Sequence, residues 1–125
     1  MTSVLNVDTI ANKAGTGPVA LTKQEAAKVW YSIDGDAGTP VFFDSFNCAS
    51  ITDSATGKPI INFTNNMNND DFAVGGLSGQ TGGASLSFDG DTPKTTGDVD
   101  LRTMNSAFSL TDTPNLDGHI MGDLA

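Results

Sequence analysis

No apolar run in this chain lasts more than a few residues before Gly, Asn, Asp or Pro interrupts it, and "PVFF" at 40–43 is among the longest. That rhythm narrows the choice of fold more than any other feature. A bilayer-spanning helix needs about 20 consecutive apolar residues, and a βαβ unit needs helical stretches of roughly 10–15 residues between its strands. From Pro40 onward the chain has neither. It has short candidate strands at 41–51, 60–63, 71–77, 84–88, 99–110 and 118–124, separated by turn-forming clusters. Alternation is clearest in "ASLSF", where Leu86 and Phe88 share a face, and in "VDLRT", where Val99 and Leu101 do. The stretch 44–67 reads as a β-hairpin with a polar corner at 52–59. Together these features predict a mainly β chain whose residues 36–125 form an antiparallel β-sandwich or jelly-roll-like domain.

Two segments precede that domain. Residues 1–22 carry a sparse apolar set, Val4, Leu5, Val7 and Ile10, followed by the breaker "AGTGP". Too few apolar side chains are present for a private core, so two short extended pieces joined by a turn are expected, forming an arm that needs a partner to lie on. The segment 23–35 predicts a short helix. Thr22 and Glu25 have capping-box spacing, and Asp34-Gly35 ends the run. On such a helix Ala26, Val29, Trp30 and Ile33 fall on one face. That stripe would pack either on its own β-domain or against copies of itself around an axis.

The net charge of −9, from fifteen acidic and six basic side chains, argues against a nucleic-acid partner, because such a field repels phosphate. Chemistry-bearing motifs are scarce. Cys48 and His119 are the sole cysteine and histidine, so a disulfide framework and multi-cysteine metal sites are excluded, and no nucleophile motif accompanies either residue. The Asp-Gly-Asp stretches "IDGDAG" and "FDGDT" lack the full calcium-loop spacing and read as turns. The glycine-rich 74–83 lacks the Lys-Ser/Thr and following helix of a phosphate loop. No catalytic residue, metal site or cofactor is assigned, and the chain is not expected to be an enzyme. "MTSVLNVDTI" has neither a basic segment nor a long apolar one, so no secretory signal and no membrane insertion are expected, and assembly in a cytoplasm is.

Residues 5–35 resemble the opening of a family of bacteriophage virion proteins, described as tail fibre-like and common in marine and cyanobacterial phages. The resemblance rests on Val7, Asp8, Ile10, Gly15, Gly17, Pro18, Ala27, Lys28, Trp30 and Gly35. The hairpin that follows in that family is matched by Asp44, Ser45, Phe46, Asn47, Ser50, Ile51, Thr52, Asp53, Gly57, Asn62, Phe63 and Thr64. The chain departs from the family pattern at Cys48 and in the polar loop 65–71.

The resemblance implies a homotrimeric virion component of a short tail fibre type, assembled in the host cytoplasm. Val4, Leu5, Val7 and Ile10 would dock to other virion proteins, and Ala26, Val29, Trp30 and Ile33 would form the trimer contact. The β-domain would face solvent or a host surface glycan. The alternative is a capsid decoration, cement or head-fibre protein built on the same trimeric plan.

Overall fold

The computed structural model describes residues 26–91 and 93–125, so the docking residues Val4, Leu5, Val7 and Ile10 lie outside the described residues. Eight strands follow one another: β1 (Val29–Asp34), β2 (Val41–Phe46), β3 (Cys48–Asp53), β4 (Pro59–Phe63), β5 (Ala73–Gly79), β6 (Ala84–Phe88), β7 (Asp98–Asn105) and β8 (Asn115–Met121). They form two antiparallel four-stranded sheets, ordered β2-β1-β8-β5 and β3-β4-β7-β6. The expected mainly β, two-sheet sandwich is the observed architecture.

The short helix is not. Residues 29–34, the second half of that expected element, form β1, and the described residues contain no α-helix. The two periodicities compete here. Val29 and Ile33 are four apart and suit one face of a helix, but Val29, Tyr31 and Ile33 also alternate with Trp30, Ser32 and Asp34. Two β-branched and two aromatic residues within five positions favour the pleated surface. Burial follows the period of two, with Val29, Tyr31 and Ile33 inside and Trp30 38% exposed. The β-domain therefore includes residues 29–34, ahead of the expected boundary at 36.

The core lies between the sheets. Val29, Tyr31, Ile33, Leu116 and Ile120 from one sheet meet Ile61, Phe63, Val99 and Leu101 from the other, and Met67 and Phe72 from the β4–β5 connection complete it. Each such side chain contributes roughly 1.5–3 kcal/mol on burial. Tyr31 is the largest of the fully buried group, and it needs a gap opposite. Its β8 partner is Gly118, where a Cβ would come within 2.3 Å of the Tyr31 hydroxyl. The Phe63 and Phe72 rings meet edge to face at 5.8 Å, and Lys94 Nζ lies 5.3 Å from the Phe72 ring centre while donating to the Phe72 carbonyl.

The expected long strand over 41–51 is broken at Asn47, which takes a left-handed backbone (φ 59°) and carries the chain from β2 in one sheet to β3 in the other. Asparagine tolerates this conformation better than most residues. Its side chain makes the corner rigid: Nδ2 donates to the carbonyls of Lys28 and Asn65, and Oδ1 accepts from the backbone and side-chain amides of Asn65. The 44–67 hairpin is confirmed as β3 and β4 around a turn at 54–58.

Strand β1 lies inside its sheet, paired to β2 on one side and to β8 on the other. Deleting residues 1–35 is therefore expected to abolish folding rather than release a folded β-domain. Circular dichroism and thermal melting of the truncated chain check this; a cooperatively melting product would overturn the placement of β1.

Candidate functional site

Strand direction separates two ends. The residues preceding β1 and those following β8 lie together, since Lys28 N–H donates to Ile120 O and Ala125 N–H to Asn66 O. The β2–β3 corner and the β4–β5 and β6–β7 connections share this end, because every pairing is antiparallel. The opposite, distal end holds the turns after β1, β3, β5 and β7. At about 3.3 Å per residue the two ends are roughly 20 Å apart.

The distal turns are tied to one another. Gly35 N–H donates to Thr113 O at 2.9 Å, Gly57 N–H to Asp112 Oδ1 at 2.7 Å, and Thr103 N–H to Gly57 O at 2.8 Å. Gly57 has φ 68°, and a Cβ there would approach Thr103 O to 2.6 Å, so glycine is required at this crossing. Thr103 Oγ1 donates to Thr111 O at 2.6 Å, fixing the base of the β7–β8 loop.

That loop carries Phe108, 82% exposed with φ 60°. The expected strand over 99–110 ends at Asn105 because the Asn105 carboxamide accepts from the N–H groups of Ala107 and Ser109, bending the chain into a turn. A left-handed conformation costs a residue bearing Cβ about 1–2 kcal/mol, and no buried surface offsets that cost at Phe108. Strain held at an exposed aromatic is the pattern found at contact sites. The β1–β2 turn at the same end is acidic: Asp36 N–H donates to Asp34 Oδ1, and the Asp36 carboxyl is pushed up, first by its hydrogen bond to Asp34 and then by slight burial and the neighbouring charges of Asp34 and Asp112.

The outer faces of the two sheets differ. On the β3-β4-β7-β6 face, Asn62 Nδ2 donates to Ser50 O and Thr52 Oγ1, and Asp89 meets Lys58 at 3.0 Å and also holds Arg102. The Lys58 and Arg102 cations hold the Asp89 carboxyl below the usual range, whereas burial, then Asp98 and Asp89, push Asp100 up. On the β2-β1-β8-β5 face, Phe46, Trp30, His119 and Gly75 form one row across all four strands, and Asp44, Ser32, Asp117 and Leu77 form the next. A groove of about 430 Å³ runs between Trp30, His119, Asp117 and Leu77, floored by Gly76 and Gly118. A second opening of about 330 Å³ lies where β5 and β6 meet, lined by Val74, Gly76, Leu86, Phe88 and Leu101. Among the described residues no group of three or more His, Cys, Asp or Glu is placed to hold a metal ion.

The structure separates the four residues expected to share a contact face. Val29 and Ile33 are fully enclosed in the core and have no surface to give a neighbouring copy, Trp30 stands on the outer sheet face, and Ala26 is exposed ahead of β1. Sequence patterning had no signal for Leu77 or Phe108 as exposed apolar residues. The Asn105 turn was the one available clue, since Asn before Ser-Ala marks a strand end. No protein-family model matches the chain, and no curated protein or solved structure does.

Two predictions follow from this geometry. Phe108→Gly is expected to raise stability by about 1 kcal/mol by relieving the left-handed strain, measured by denaturant unfolding; a loss of stability would show that the ring is packed. The second concerns pH. Burial pushes the Cys48 thiol from 9.0 up to about 11 and raises Tyr31 well above its ordinary 10.0. Above about pH 9 the unfolded chain loses the thiol proton while the folded chain keeps it, so stability falls as pH rises from 9 through 11. Below pH 9 neither group contributes a slope. Cys48→Ser should flatten the first part of that fall; an unchanged alkaline profile would rule out the thiol as its source.

Proposed function

We propose that this chain is a structural protein of a bacteriophage particle: a short tail fibre-like homotrimer that docks by residues 1–22 and holds its β-domain outward. The observation that carries the reading is the polarity of the domain. The chain enters the sandwich at Lys28, beside the residues that follow β8, and the braced turns with Phe108 lie at the other end. The resemblance of residues 5–35 and 44–64 to tail fibre-like virion proteins points the same way. Charge supports the arm as the docking element. Asp8 and Glu25 are the only acidic residues before Asp34, and the remaining thirteen of the fifteen lie from Asp34 onward. Docking through Val4, Leu5, Val7 and Ile10 strips water from apolar side chains, whereas docking through the β-domain, with acidic residues at both of its ends, would strip it from carboxylates, at far greater cost. The threefold contact then belongs to the arm together with Ala26, without Val29 and Ile33, which are enclosed in the core. The distal turns, rich in Gly, Thr, Ser and Asp, present hydrogen-bonding groups and one projecting ring to a host surface polysaccharide. The role is binding and assembly, without catalysis.

Val7→Asp combined with Ile10→Asp is expected to remove the protein from assembled particles while leaving the melting temperature of the isolated chain unchanged. Incorporation at normal copy number would overturn the arm as the docking element. Antibody labelling of intact particles separates tail from head: label on the capsid would favour the decoration-protein alternative.

A further inference from the structure

The apolar outer face of the β2-β1-β8-β5 sheet is not accounted for by docking at one end or display at the other. Trp30, Phe46 and Leu77 are 38%, 52% and 79% exposed. With roughly 150–250 Å² for each aromatic side chain and a comparable area for Leu77, these fractions leave on the order of 300 Å² of apolar surface on one sheet face, within the range of the largest patch on a soluble monomer, which is often functional. The opposite outer face, with Asn62, Asp89, Asp98, Asp100 and Arg102, has no equivalent.

The two rows of this face complement each other. His119 and Asp117 are both on β8, one on each side of Gly118; Trp30 and Ser32 are the corresponding pair on β1, and Gly75 and Leu77 on β5. The relief alternates in the same way. Gly75 is low ground with the His119 ring lying against it, since a Cβ at Gly75 would be 2.8 Å from His119 Cε1. Leu77, one row on, is the most exposed aliphatic side chain of the face. A twofold axis running across the strands at the level of Gly118 lays each row of one copy on the other row of a second copy. Leu77 then meets the partner copy's Gly75 and the imidazole covering it, Asp117 meets the partner copy's His119, and Trp30 meets the partner copy's Ser32. Phe46 lies at the rim against Asp44. Leu77 packs on the imidazole that lies over Gly75 and carboxylate meets imidazole, each twice, as an isologous contact requires.

We infer that this face is buried between two copies of the chain, about the axis at Gly118. The apolar area would serve any partner; the pairing of Asp117 with His119 and of Leu77 with the imidazole makes the face self-complementary about this axis. The contact is independent of the arm, so a threefold arm and this twofold face together would give six copies.

The test is sedimentation velocity of the full chain at tens of micromolar, with circular dichroism as the control for folding. Leu77→Asp, at a position already 79% exposed, is expected to keep the fold and halve the mass. Asp117→Lys is expected to do the same, and Asp117→Lys with His119→Asp to restore the original mass. If wild type and Leu77→Asp have the same mass, the inference fails; if that mass is a trimer, the threefold reading survives. A wild-type dimer that Leu77→Asp converts to monomer upholds the twofold face and removes the trimer. Failure of the charge-swapped pair to recover the wild-type mass would overturn the stated axis.

Discussion

Tyr31 sits between the two sheets with Val29 and Ile33 above and below it on the same strand, and the surrounding architecture accommodates that row. The ring leans over the neighbouring strand of its own sheet, which requires a residue with no side chain there, and Gly118 of β8 supplies the space. The arrangement fixes register, because a slip by one residue would turn Tyr31 to solvent and bring Trp30 and Ser32 inside. It also determines what remains outside. With Gly118 flat beneath the ring, its neighbours His119 and Asp117 both face outward.

One strand thus links the core to both outer features. The inner row of β1 closes the hydrophobic layer, and the outer row begins the apolar face that carries Trp30. Asn47 does similar work at a single point. Its left-handed backbone moves the chain from one sheet to the other, and its carboxamide bonds to the segment entering β1 and to the segment leaving β4. The end where the chain enters is held by side-chain amides, and the distal end by backbone groups around Gly57. A tip braced in this way keeps Phe108 projecting in a conformation the residue would not choose alone.

Much of the β-domain was legible in the sequence because its signals are local. Alternation in "ASLSF" placed β6 correctly, and the polar corner between Ile51 and Ile60 gave the β3–β4 hairpin. The error fell on residues 29–34, where spacings of two and four coincide and capping signals upstream favoured a helix. What decides between them is the partner strand β8, about 85–90 residues away in sequence, and no local rule contains it. The same limit hid the outer faces. Leu77 reads as a core residue of a short strand, and only the pairing of β5 with β8 shows that it stands on the side opposite Ile120. Phe108 was counted into a strand because apolar residues continue past Asn105; the side-chain hydrogen bonds of Asn105 end it.

The chain's point of entry has a mechanical consequence. Val29 at the start of β1 pairs with Ile120 near the end of β8 in an antiparallel ladder. A pull applied between the two termini would open their hydrogen bonds one after another, as a zipper does. A pull between the N-terminal segment and the distal tip acts differently. It drags β1 lengthwise between β2 and β8, and because the ladder bonds lie perpendicular to the strands, all of them on both sides of β1 are sheared at once. A domain tethered through its N-terminal segment and gripped at Phe108 would therefore meet load along its most resistant direction.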